Sequence, residues 1–356
     1  PRLKEATAEF IKKFLNIKVP PKSCIPTVGA MHSGFICQSI AGRKHPGAGT
    51  ILYLDPGFPV NKLQTKFLRL KEESIDLFNF RGDSLIDKIE ELFSSGEIGG
   101  LIWSSPNNPT WVCLKEDELK GIGKLLTKYD VFGIEDAAYL GMDYRLDYSV
   151  PGESPFIPTI ARYTDNYFLI ISSSKIFSYA GQRIAMTIIS PGLMEKRYAN
   201  LRQYFDTERV GHAFVHGGIY PTTAGVPQTP QHALAAFFEA ASKGDYIFLE
   251  EVKVYSRRAE EMKEIFLANG FDLVYYEDMG EPISNGFYFT VTRSGMTSDE
   301  LLFEMLRYGM AGIPLSTTGS TKEGIRICVS LIRETQFDDL KDRLSALERQ
   351  LQPNPV

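Results

Sequence analysis

The chain is short of the features that mark several broad protein classes. It has four cysteines in 356 residues, Cys24, Cys37, Cys113 and Cys328, scattered and without a Cys-x-x-Cys pair. That excludes a disulfide-stapled scaffold and a cysteine-based zinc site, and it suits a reducing cytoplasm. No apolar run is long enough to span a bilayer, and Pro1 to Ile17 does not have the form of a signal peptide. There is no excess of basic charge either: the net charge is −5, the isoelectric point is near 5.7, and neither sign forms a long block. A nucleic-acid binder is therefore not expected. Internal repeats and low-complexity tracts are missing. The five histidines, His32, His45, His212, His216 and His232, show no metal or triad spacing; most are expected to be structural, with His32 close to a possible ligand turn. Finally, there is no initiator Met: Pro1 runs straight into an amphipathic stretch, Leu3 to Leu15, so the natural N-terminus is expected to lie outside this sequence.

What remains is ordinary globular material. With 43% hydrophobic and 23% charged residues, the chain can bury a sizeable core, and its length suits about two domains. Short apolar runs at Thr50–Leu54, Leu101–Ser104, Val131–Ile134, Tyr167–Ile171 and Ile184–Ser190 read as strands buried on both faces. Helical periodicity fills several gaps, as at Leu85–Phe93 and Glu116–Tyr129. Strands alternating with helices predict an α/β three-layer sandwich around a mostly parallel sheet, in which ligands sit at the carboxyl ends of the strands. Polar loops follow those ends: Asp55-Pro56-Gly57-Phe58, Ser105-Pro106-Asn107-Asn108, Glu135-Asp136 and Ser172-Ser173-Ser174-Lys175. Four separated loops would thus meet in one crevice. Beyond Gln231 the texture changes to a long helical stretch, His232 to Ala268, with a break near Gly244. Alternating segments follow at Gly286–Val291 and Gly324–Val329, with helices at Ser298–Tyr308 and Phe337–Leu351. This predicts a smaller α+β C-terminal domain, residues 241–356, joined through the long helix to a large domain, residues 1–240.

Several residues in those loops carry chemistry. Lys175 stands at a strand end among hydroxyls, and a lysine amine adds to an aldehyde when desolvation or a nearby cation depresses its basicity. Ser172 and Arg183 could hold a phosphate on that aldehyde, with Gly181 letting the backbone turn so that Arg183 reaches back. Taken alone, Lys175 reads better as a solvated surface lysine, because such tetrapeptides arise by chance. Asp136 ends a strand, where a buried carboxylate needs a cationic partner; a protonated ring nitrogen would serve, as would a structural arginine or a helix cap. Tyr139 and Asn108 could donate to a ring oxygen, although Asn-Pro is also a common turn. Phe58 could stack on a flat ring or pack in the core. Thr27-Val28-Gly29-Ala30-Met31 leads into an apolar helix whose first N–H groups would bind phosphate.

In this order the motifs resemble the fold-type I pyridoxal-phosphate enzymes, specifically the class I/II aminotransferase group of the aspartate aminotransferase superfamily. The match covers essentially the whole chain and includes the glycine turn, the aromatic after proline, Asn-Pro, Asp-x-x-Tyr, and Ser-x-Ser-Lys with an arginine eight residues on. The resemblance implies pyridoxal 5'-phosphate bound as a Schiff base on Lys175, with Asp136 on the ring nitrogen and Tyr139 and Asn108 on the ring oxygen. Phosphate would be held by Gly29, Ala30, Met31, Ser172, Ser174 and Arg183, and Phe58 would stack. It further implies that Arg326, in Gly324-Ile325-Arg326-Ile327, binds the substrate carboxylate as a bidentate fork, and that the protein is a homodimer with its active sites at the interface, moving an amino group between an amino acid and a 2-oxo acid. Two departures affect substrate choice: Trp111 stands where relatives often have glycine, and Pro314-Leu315-Ser316-Thr317-Thr318-Gly319 replaces a Pro-Gly-x-x-Phe-Gly segment. C–S β-elimination on the same scaffold, or service as the aminotransferase-like effector domain of a transcription regulator, are the alternatives.

Overall fold

A computed structural model describes residues 1–351. Its main sheet has seven strands: β1 (Cys24–Thr27), β2 (Thr50–Asp55), β3 (Lys71–Asp76), β4 (Ile98–Ser104), β5 (Phe132–Asp136), β6 (Tyr167–Ser172) and β7 (Ala185–Ile189), in the order β1-β7-β6-β5-β4-β2-β3. From β3 through β2, β4 and β5 to β6 all pairs are parallel, while β7 runs against both β6 and β1. The five apolar runs all form strands. The two unforeseen strands are the two edges. β1 is four residues long and contains Pro26, and β3 reads Lys-Glu-Glu-Ser-Ile-Asp with its first four residues exposed. Proline and charge are what exposed edges carry to discourage pairing with other chains, and they erase the apolar signal of a strand.

Helices cover both faces. On one side α1 (Arg2–Leu15) buries Phe10, Ile11 and Phe14, and the Phe10 ring lies 4.5 Å from that of Phe238 on a later helix (Gln228–Lys243). On the other side α2 (Gly29–Ala41) packs Ile36, Cys37 and Ile40 into a core with Ile134, Phe168 and Phe214. The sheet is thus the middle of three layers, an α/β fold of the type expected. The anticipated break at Gly244 is real: the helix Gln228–Lys243 ends there with φ of 80°, a left-handed cap that glycine adopts without penalty, and helical structure resumes at Phe248–Val252 and Val254–Leu267.

The C-terminal part builds a second sheet from β8 (Asp272–Leu273), β11 (Tyr288–Thr292), β12 (Ile313–Pro314) and β13 (Ile325–Cys328), in the order β12-β13-β11-β8 and antiparallel throughout; β9 (Glu277–Asp278) and β10 (Glu281–Pro282) form a separate ribbon. Its own core contains Phe266, Phe289, Val291, Leu301, Ile325, Ile327 and Leu344. Strand alternation then decides what faces away from that core. Ile325 and Ile327 point inward, so Arg326 and Cys328 point outward, and Tyr288, paired with Cys328, shares their face.

Candidate active site

The loops after β2, β4, β5 and β6 meet at the carboxyl ends of these strands around a cavity of about 220 Å³. Ser172 ends β6 and caps the short helix Ser173–Ile176 by accepting from the Ser174 N–H at 3.2 Å. Lys175 lies on that helix, lines the cavity, and has its Nζ 5.2 Å from the Phe287 ring centroid. Asp136, the last residue of β5, lines the same cavity, accepts from the Ala138 N–H at 3.2 Å, and forms no ion pair among the described residues. Burial therefore pushes its carboxyl up to about 6. Tyr139 follows one turn later. Burial, with Tyr288 beside it, raises its phenol well above the ordinary value, so it remains a donor.

The remaining residues arrive from further away. Asn107 Nδ2 donates to the Pro56 carbonyl at 2.9 Å and so ties the β4 loop to the loop carrying Phe58. Asn108 Oδ1 accepts from Arg326 Nη1 at 3.0 Å. Its Nδ2 is thereby turned the other way, as a donor. Gly29 has φ of 78°, and a Cβ there would collide with the Arg183 guanidinium; glycine is what allows the arginine to lie over the start of α2. No side chain caps α2, so its first N–H groups stay available to an anion beside Ala30 and Met31.

Of the residues expected from sequence, Ala30, Met31, Phe58, Asn108, Asp136, Tyr139, Ser172, Ser174, Lys175 and Arg183 line this cavity, Gly29 adjoins it through Arg183, and Arg326 reaches it through Asn108. Two details differ. The turn that returns Arg183 is made by Arg183 itself, at φ of 51° with its Nη1 on the Ala180 carbonyl, and Gly181 contributes no left-handed conformation. His32 does not line the cavity: its Nδ1 accepts from the Val28 N–H and its Nε2 donates to Thr222 Oγ1, so both ring nitrogens are spent on structure. Tyr288, Ser104 and Ala180 line the cavity without having been singled out. A larger cavity, about 660 Å³, opens beside Cys113 and Tyr144, but Asp143, Arg145 and Glu116 on its walls are already in ion pairs.

The family model for aminotransferase class I and II matches residues 1–344. The chain belongs to this family. Among curated relatives, the aspartate aminotransferase of Pyrococcus horikoshii is 24% identical over 98% of this chain and 81% of that protein. An asparagine–oxo-acid transaminase of Streptococcus mutans is 25% identical over 81% of this chain and 74% of its own length. In fold, the chain resembles the aspartate aminotransferase of Thermus thermophilus solved with maleate, with a TM-score of 0.75 at 18% identity, covering 98% of this chain and 81% of that one.

Aminotransferases of this family use pyridoxal 5'-phosphate, and the cavity suits it. A half-buried carboxylate without a cation among the described residues, a cap-free helix N-terminus next to an arginine, and a phenol kept protonated answer the group's ring nitrogen, phosphate and ring oxygen in turn.

Proposed function

We propose that this aminotransferase moves the amino group of an L-amino acid to a 2-oxo acid with Lys175 as the lysine that holds the cofactor. The observation that carries this is the Asp136 carboxylate, half-buried on the wall of the cavity that Lys175 enters and without an ion pair among the described residues. When bound, pyridoxal phosphate supplies an electron sink in conjugation with the substrate α-carbon. Arg326 binds the substrate carboxylate, and Asn108 fixes that guanidinium through Nη1. Asp136 keeps a proton on the ring nitrogen. Tyr139, whose hydroxyl otherwise donates to Tyr288, turns that proton to the ring oxygen, joined by Asn108 Nδ2. The α2 N–H groups, Ser172, Ser174 and Arg183 hold the phosphate, and Phe58 covers the ring. Once its amine is free, Lys175 Nζ takes the α-proton and returns it one position away, as general base and then general acid.

Borohydride treatment should fix the cofactor to Lys175 in peptide mapping, and Lys175→Ala should lower kcat by about 10²- to 10⁴-fold or more. A colourless wild-type protein that takes up no pyridoxal phosphate overturns the assignment. Turnover should need a 2-oxo acid acceptor; pyruvate and ammonia released from cystathionine without one would place the enzyme among the β-eliminating members instead.

We further propose a division into a large cofactor-binding domain, residues 1–240, and a small one, 241–356, on the strength of the separate C-terminal core. A homodimer is supported by exposed apolar side chains, Met31, Leu63, Phe67 and Tyr220, which are 41%, 62%, 77% and 67% exposed; Met31 lines the cavity and Phe67 packs beside Phe35 of α2. Phe67→Asp should turn a dimer into a monomer in sedimentation; an unchanged dimer moves the interface elsewhere. A reducing, cytoplasmic location accords with four free thiols, three of them buried.

A further inference from the structure

Tyr288 is the single cavity-lining side chain contributed by the C-terminal sheet. It belongs to none of the motifs, yet it touches two of the groups assigned above. Its hydroxyl accepts from the Tyr139 hydroxyl at 3.2 Å, and its ring centroid lies 4.3 Å from Arg326 Cζ. Tyr288 is itself wedged: it is 6% exposed, and the Trp111 and Tyr139 rings meet it edge-on at 6.1 and 5.8 Å.

A guanidinium has one plane and three hydrogen-bonding edges. In Arg326 the plane rests on the Tyr288 ring and Nη1 is taken by Asn108, while Nε is buried and makes no hydrogen bond. An unpaired buried N–H costs free energy unless a ligand satisfies it. The Nε–Nη2 edge is thus left as a fork of parallel donors, the geometry a carboxylate accepts bidentately.

We infer that Tyr288 is a positioning residue that presents this edge of Arg326 to the substrate carboxylate. Strand pairing explains why it can: Tyr288 and Arg326 project from the same face of neighbouring strands. The inference rests on Arg326 as the carboxylate anchor, and the test separates the two.

The test uses the holoenzyme and two amines without an α-hydrogen, 2-methylalanine and tert-butylamine, which differ in that a methyl replaces the carboxylate. Binding is followed by the change in the visible spectrum. Wild-type protein should prefer 2-methylalanine, and Arg326→Leu should erase that preference; if the preference survives in Arg326→Leu, the anchor assignment fails and Tyr288 loses its role with it. Given the anchor, Tyr288→Leu should weaken 2-methylalanine about tenfold, the scale of a lost desolvated cation–π contact, and leave tert-butylamine unchanged. Tyr288→Phe keeps the ring and should retain 2-methylalanine affinity within about twofold. Equal losses for both amines in Tyr288→Leu, or no loss for either, overturn the proposal.

Discussion

Asp136 carries a stability cost at the position where the proposed chemistry needs a carboxylate. Its carboxyl is raised to about 6 by burial, above the ordinary value of 3.8. A raised acid binds more protons folded than unfolded, so the cofactor-free protein loses stability as pH climbs from about 4 to about 6, and the full cost persists at neutrality. At about 1.4 kcal/mol per unit the shift amounts to roughly 3 kcal/mol at most. Asp136→Asn should therefore raise the melting temperature of the cofactor-free protein at pH 7 and flatten its pH dependence over that window, while removing transaminase turnover. A variant that melts lower than wild type at pH 7 would contradict this. Adding pyridoxal phosphate, whose protonated ring nitrogen supplies the missing cation, should stabilise wild type more than the variant.

Among the elements, the turn after β4 was the least expected. Relatives often have glycine where this chain has Trp111, which sits at φ of 64°, is fully buried, and donates its indole N–H to the Met142 carbonyl at 3.3 Å. A tryptophan in a left-handed conformation is costly and needs a prepared place. Gly286, two residues before β11, provides it: a Cβ at this position would overlap the indole. The ring then backs Tyr139 at 5.1 Å and Tyr288 at 6.1 Å. Gly286→Ala should cost about 1–3 kcal/mol through overpacking and also weaken cofactor binding, because the displaced indole carries both tyrosines with it. Quenching of tryptophan fluorescence on cofactor titration measures the second effect, and unchanged affinity would show that this aromatic packing does not reach the cofactor.

At the level of the whole molecule, a buried polar knot ties the β9–β10 ribbon to loops of the large domain. Asp278 on β9 is paired with Arg81 and, at 2.8 Å, with Arg145, and it accepts from the Cys113 N–H. Arg81 in turn grips Glu118, whose carboxylate also takes the Gly82 N–H. Burial would raise the Asp278 carboxyl, but the two arginines hold it below the usual range. Its contribution is thus present above the ordinary carboxylate range and is lost as pH falls through the lowered value. Asp278→Ala removes the carboxylate shared by Arg81 and Arg145, each of which keeps a second one in Glu118 or Asp143, and leaves the Cys113 N–H without its acceptor; it should cost about 1–3 kcal/mol, read in urea unfolding at pH 7. The difference between variant and wild type should shrink on acidification; a difference that stays constant to low pH would show that the knot contributes no ionic stabilisation.

The sequence by itself determined the layered α/β fold, because strands buried on both faces and amphipathic helices each write a local, periodic record. It also placed Lys175, Asp136, Tyr139, Asn108 and Arg183 near strand ends that such a sheet brings together, and all five line one cavity. Edge strands β1 and β3 were hidden because a sheet edge replaces apolar side chains with proline and charge. Tertiary structure alone decided the rest. Whether Gly181 or Arg183 makes the turn depends on where the guanidinium must lie, and His32 is withdrawn from the cavity by a threonine 190 residues away. That Tyr288 meets Arg326 follows from the register of two strands distant in the chain. Contacts between residues so far apart leave no periodic trace, and here they set how Arg326 and Tyr288 lie against each other.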